Sequence, residues 1–109
     1  MILVLTKEEQ KIHEILLCCT GGMTTTFFAQ KMNRYCELNH SPYHFSAAGS
    51  YHLDDVYKDK ELILIAPQLR YQLAELKAKY APVEIESIEA SVFAAYDCPG
   101  LLDQIETIL

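Results

Sequence analysis

Ile12 to Cys19 is a short, mostly apolar run that ends in a glycine-containing loop, the pattern of a strand buried in a sheet. From Thr24 to about Asn39 the apolar positions Phe28, Met32, Tyr35 and Cys36 recur at helical spacing, leaving Gln30, Lys31 and Arg34 to face water. Ser41-Pro42 breaks that helix, because proline lacks an N–H and biases its predecessor away from helical geometry. Tyr43 to Ala48 reads as a second strand closed by Gly49-Ser50, followed by a weak helical stretch around Leu53 to Lys58. Glu61 to Ala66 is a nearly all-apolar third strand ended by Pro67. Gln68 to Tyr80 then forms an amphipathic helix through Leu69, Leu73, Leu76 and Tyr80. Val83 to Ile88 makes a fourth strand, and Pro99-Gly100 opens a last helix carrying Leu101, Leu102, Ile105, Ile108 and Leu109.

Apolar strands that alternate with helices imply a parallel sheet covered on both faces. No internal repeat interrupts this alternation, and 109 residues suit one domain with a real core. Residues 1–11 stand apart as a leader or tether before a domain spanning 12–109; Thr6-Lys7-Glu8-Glu9 has the form of a capping box, compatible with one helical turn.

Half the residues are hydrophobic and 22% charged, which separates the chain from disordered proteins. The net charge of −6 comes from scattered acids with no Lys/Arg run, which argues against a nucleic-acid partner. Met1-Ile2-Leu3-Val4-Leu5 is apolar but too short for a membrane span, so a cytoplasmic location is expected. The four cysteines, Cys18, Cys19, Cys36 and Cys98, contain no C-x-x-C pair and no Cys/His cluster at zinc spacing, so free thiols and no metal site are expected. His13, His40, His44 and His52 share no metal-like spacing and read as surface or turn residues, with His52 placed behind the second strand toward the same edge as the first loop. Asp54-Asp55 reads as an exposed helix start.

The stretch that carries chemistry is Cys19-Thr20-Gly21-Gly22-Met23-Thr24-Thr25-Thr26, between the first strand and the first helix. In an open α/β sheet this is the strand edge where ligands bind. Two glycines let successive N–H groups curl toward one point, and the helix N-terminus adds further donors, so such a loop holds an oxyanion or phosphate. The same donors stabilise a thiolate, which makes Cys19 a nucleophile near neutral pH. A Gly-Gly turn also serves as a plain tight connection, threonines as ordinary N-caps, and a cysteine ending a strand as core. Cys18 points to the opposite side of the strand and takes that core reading.

The loop resembles the phosphocysteine segment of enzyme IIB in the lactose/cellobiose/chitobiose class of sugar phosphotransferase systems. Cys19 aligns on the phosphorylated cysteine and Gly22-Met23 on the family's Gly-Met. Ile65-Ala66-Pro67-Gln68-Leu69-Arg70-Tyr71 is similar to the family's block after its third strand, and Val83-Glu84-Ile85-Glu86-Ser87-Ile88 to its fourth strand. Thr20-Gly21 departs from the family's Ser-Ala, and threonines stand where it has serines. The resemblance implies an α/β fold of three αβα layers with a four-stranded parallel sheet in the order 2-1-3-4, like low-molecular-weight phosphatases and flavodoxins. It also implies a phosphotransferase whose Cys19 accepts phosphate from a phosphohistidine on a IIA protein. Cys19 would pass it to a sugar, a β-disaccharide such as lactose, cellobiose or chitobiose, held by the membrane permease IIC at the inner face of the cell membrane. Thr20, Gly21, Gly22, Met23, Thr24, Thr25 and Thr26 would cradle the phosphate, with no cofactor and no metal. In that sheet order the third strand borders the first, so Gln68 is placed to donate to a phosphate oxygen. Arg70 is placed to meet the partner or the incoming phosphate, and reads equally as a solvated residue.

Two rivals share the geometry. A low-molecular-weight phosphatase needs an arginine six residues after its cysteine, and that position here is Thr25. A flavodoxin-like carrier would use the same loop for the phosphate of FMN, with tyrosines as flavin cover because the chain has no Trp.

Overall fold

The computed structural model describes residues 11–109. Four strands, β1 (His13–Cys19), β2 (Tyr43–Gly49), β3 (Leu62–Ile65) and β4 (Glu84–Ser87), form one parallel sheet in the order β2-β1-β3-β4. Around it lie α1 (Met23–Leu38), α2 (Leu53–Val56), α3 (Leu73–Lys79), α4 (Ala90–Ala95) and α5 (Cys98–Ile108). The leader expected over residues 1–11 falls outside the described residues except for Lys11, whose Nζ lies 3.6 Å from Glu61.

The sheet is buried on both faces, which is why its central strands read as unbroken apolar runs rather than alternating ones. On one face Ile15, Leu17, Phe45, Leu62 and Leu64 pack against Phe28 and Met32 of α1, Val92 and Phe93 of α4, and Leu101 and Ile105 of α5. On the other face Leu16, Cys18, Ile63, Ile65 and Ile85 meet Leu53 of α2 and Leu76 of α3. A fully buried side chain such as Phe28 contributes about 2 kcal/mol through its burial. β2 is an edge strand, and Asn33 of α1 blunts it: its Oδ1 accepts from the Phe45 N–H at 2.7 Å and its Nδ2 donates to the Phe45 carbonyl at 2.8 Å.

The structure refines several sequence expectations. The helix expected over Gln68 to Tyr80 begins as a 3₁₀ turn, Pro67–Gln72, and becomes α-helical only at Leu73. Pro67 fixes the entry, and the Leu69 N–H reaches back three residues to the Ala66 carbonyl at 2.9 Å. Asp54 is exposed but not idle: Tyr80 Oη donates to its Oδ1 at 2.8 Å and ties α3 to α2. A short helix, α4, stands where none was expected; it buries only Val92 and Phe93 and ends at Tyr96, with φ of 48°. The last helix starts one residue before Pro99, capped by Asp97, whose Oδ1 accepts from the Gly100 N–H at 3.0 Å. Leu109, expected on its apolar face, is 48% exposed.

Candidate functional site

β1 delivers Cys19 to the C-terminal edge of the sheet. The pleat sends Cys18 into the core, fully buried, and leaves Cys19 partly exposed on the other side. The chain then turns through Thr20 and Gly21 to Gly22, which caps α1 at φ of 85°. A side chain there would be strained, and a Cβ would lie 2.9 Å from the Gly49 nitrogen at the end of β2, so only glycine fits. This conformation aims the Gly22 N–H at the Cys19 sulfur, 3.0 Å away.

The three threonines divide their work. Thr25 is completely buried, and its Oγ1 lies 3.4 Å from the Cys19 sulfur and 3.3 Å from the Gly22 carbonyl. Thr26 is exposed, but its hydroxyl and N–H both donate back to the same carbonyl at 2.6 and 3.0 Å. Thr20, Met23 and Thr24 are exposed. Donors gather on the sulfur from fewer positions than the whole span Thr20–Thr26. Burial pushes the Cys19 thiol up, but hydrogen bonds from the Thr25 hydroxyl and from the backbone N–H groups of Thr25, Gly22 and Gly21 outweigh it and hold the thiol below its ordinary value. The other cysteines go the opposite way. Burial and the adjacent Cys19 push Cys18 up to about 12, burial and Cys98 push Cys36 up to about 11, and burial raises Cys98.

Beside the loop runs a cleft of about 330 Å³ lined by Gly21, Gly22, Met23 and Thr26 on one side and by Ala47, Ala48, Gly49, Tyr51 and His52 on the other. Gly49 pairs in register with Cys19, and a Cβ on it would run into the Tyr51 ring and meet the Thr20 carbonyl at 3.1 Å. Tyr51 and the end of β2 were not singled out from sequence as site residues. The signal was available, since a strand order that places β3 beside β1 on one side places β2 beside it on the other. Gln68 and Arg70 lie on the 3₁₀ turn after β3, both exposed, and neither side chain has a partner among the described residues. β3 does reach the loop's base, where the Ala66 N–H donates to the Cys18 carbonyl at 2.7 Å. A larger groove of about 900 Å³, lined by Asn33, His40, Tyr43 and His44 among others, opens at the opposite end of the sheet, away from Cys19. Of the remaining histidines, His13 is a half-buried strand residue whose Nδ1 lies 2.7 Å from Glu61, and His44 pairs with Glu14 at 2.8 Å. Among the described residues no three His, Cys, Asp or Glu side chains form a metal-binding group, and no helix is long and apolar enough to cross a membrane.

Residues 14–97, which include the whole loop and the turn after β3, match the family described as the lactose/cellobiose-specific IIB subunit of the phosphotransferase system. The chain belongs to this family. Among its IIB relatives is the oligo-β-mannoside-specific EIIB component of Bacillus subtilis (strain 168), 26% identical over 100 residues that cover 90% of this chain and 97% of that one. The lactose-specific EIICB component of Staphylococcus aureus is 32% identical over 63 residues, covering 58% of this chain; the match spans 11% of that longer protein. The fold of the lactose-specific IIB domain from Streptococcus pneumoniae superposes with a TM-score of 0.75 at 21% identity, covering 88% of this chain and 97% of that one. The cellobiose-specific IIB component of Borrelia burgdorferi superposes with a TM-score of 0.66 at 25% identity, covering 84% and 85%.

Proposed function

We propose that this IIB chain is a phosphoryl carrier in which Cys19 accepts phosphate from a phosphohistidine of a IIA protein and passes it to a sugar held by a membrane IIC. The observation that carries the reading is the Cys19 sulfur, held by the Gly22 N–H at 3.0 Å and by the buried Thr25 hydroxyl at 3.4 Å, in the strand-to-helix loop of a IIB-family fold. In the first step the thiolate attacks phosphorus, the S–P bond forms, and the N–P bond breaks with its electron pair going to the donor imidazole, which takes up a proton. In the second step a sugar hydroxyl attacks in line, the S–P bond breaks, and the thiolate is regenerated while the hydroxyl proton leaves to solvent or base.

The donors that favour the free thiolate also make it a good leaving group, so one arrangement serves both steps. The loop from Cys19 to Thr26 contains no Arg or Lys, so its N–H and hydroxyl donors act without the cationic side chain that would speed attack by water. Transfer therefore waits for a partner to bring the acceptor into line. Exposed Met23, Phe27, Tyr51 and Tyr71, on the segments that follow β1, β2 and β3, offer the surface against which IIA and IIC would dock. The relatives' names favour a β-linked disaccharide or oligosaccharide as final acceptor, and the site would work at the inner face of the membrane. Residues 12–109 form the working unit in this reading.

The test is a chase. Protein labelled on Cys19 should keep its phosphate in buffer and lose it rapidly to sugar when IIC and a cognate sugar are added. Spontaneous loss as fast as transfer, or repeated cleavage of an aryl phosphate, would replace the carrier with a phosphatase.

A further inference from the structure

The cleft beside the Cys19 loop has a second wall that the carrier chemistry above does not use. Tyr51 packs over Gly49, and its ring lies 4.4 Å from the imidazole of His52. The His52 Nδ1 faces Asp55 Oδ2 at 3.6 Å, which leaves Nε2 with no partner among the described residues. Across the cleft are Gly21, Gly22, Met23 and Thr26, all uncharged, so among the lining residues only His52 can carry positive charge. The ionisable groups in contact with it are Asp55 of α2, which begins just after it, and Tyr51 beside it.

A phosphoryl group on Cys19 carries a charge of roughly −1.5 to −2 at neutral pH, and the loop meets it with N–H and hydroxyl donors alone. We propose that His52, oriented by Tyr51 and Asp55, binds the phosphoryl group on Cys19 by donating a charge-assisted hydrogen bond to one of its peripheral oxygens. This rests on the reading of Cys19 as the phosphate carrier. His52 makes or breaks no covalent bond: the S–P and N–P bonds change as described above, and the imidazole offsets part of the phosphoryl charge and fixes its rotation about the S–P axis. A neutral cradle completed by one imidazole binds the dianion more weakly than an arginine-lined loop, which suits a group that must leave again.

The experiment is single-turnover transfer of labelled phosphate from phosphorylated IIA to the full chain, over a range of IIA concentrations. The proteins compared are wild type, His52→Ala, His52→Gln and His52→Lys, each first checked for wild-type alkylation of Cys19. His52→Ala and His52→Gln should lower the limiting rate about tenfold, the effect of losing one charge-assisted hydrogen bond, with the half-saturating concentration unchanged. His52→Lys, which keeps the charge, should return to within about threefold of wild type. A wild-type limiting rate in His52→Ala overturns the assignment. So does an effect confined to the half-saturating concentration, which marks a partner contact, or a lysine variant no better than alanine. Failure of the wild type to take up label overturns the carrier reading itself, and the assignment with it.

Discussion

Thr25→Val isolates what the buried hydroxyl does for the Cys19 sulfur. Thr25 is fully buried, and valine has nearly its volume, so the replacement fills the same space without the oxygen. The Gly22 carbonyl loses the Thr25 hydroxyl at 3.3 Å but keeps Thr26 Oγ1 at 2.6 Å and the Thr26 N–H at 3.0 Å, so no acceptor is orphaned. The expected cost to the fold is therefore under about 1 kcal/mol. The sulfur, by contrast, loses the strongest of the contacts that favour its charged form. A hydrogen bond to a charged group contributes about 1.5 kcal/mol or more, so the thiolate fraction at neutral pH should fall about tenfold. The assay is the rate of iodoacetamide alkylation against pH, followed by intact mass. It reports Cys19 because Cys18, Cys36 and Cys98 are buried and their thiols raised. The wild-type profile should rise below the ordinary cysteine range, and the valine profile should move to higher pH by a clear margin while the unfolding midpoint barely changes. A valine profile that coincides with wild type, or moves to lower pH, would refute the role given to Thr25.

Gly22→Ala forces a side chain into the left-handed region and against the Gly49 nitrogen, so a loss of at least about 1 kcal/mol in urea unfolding, together with slower alkylation of Cys19, is expected; a wild-type midpoint would contradict it. Cys18, Cys36 and Cys98 changed singly to alanine should each retain phosphate uptake, since all three thiols are buried away from the loop edge; loss of uptake without loss of fold in any one would move the chemistry off Cys19. The His13 hydrogen bond holds the Glu61 carboxyl below its usual range, so its contribution to stability is present above the unfolded carboxyl's value and is lost as pH falls through the folded value. Wild type should exceed Glu61→Gln in stability above the carboxylate range, with the gap closing as pH falls through that range in circular-dichroism melts; a gap that persists below the folded carboxyl's value would overturn the pairing.

The sheet order was legible because β1 and β3 are short apolar runs, all four strands are separated by clear breakers, and right-handed crossovers leave few topologies for them. Helix type was harder. Leu69, Leu73, Leu76 and Tyr80 keep helical spacing whether the first turn is 3₁₀ or α, so periodicity alone did not expose the 3₁₀ start after Pro67. α4 escaped because six residues with two buried positions complete too few turns to show a period. At the site, the position of Cys19 and the need for glycine followed from the strand-loop-helix order. Which threonine faces the sulfur did not, because the three are chemically identical and only the helical phase of α1 buries Thr25 while turning Thr24 outward. The wall made by Tyr51 and His52 reaches the loop through the long-range pairing that sets Gly49 beside Cys19, which strand order implies but no local pattern encodes.

The central claim is that Cys19 holds the phosphate, and the most direct measurement is intact mass followed by fragment mapping. The full chain would be incubated with phosphoenolpyruvate, the general phosphotransferase proteins and a IIA partner, alongside Cys19→Ser. The account predicts the gain of one phosphoryl group, located on Cys19, in the wild type and none in a Cys19→Ser variant that folds normally, because a serine hydroxyl stays protonated where the thiolate is available. A phosphoryl group on another residue, or equal uptake by Cys19→Ser, would contradict it.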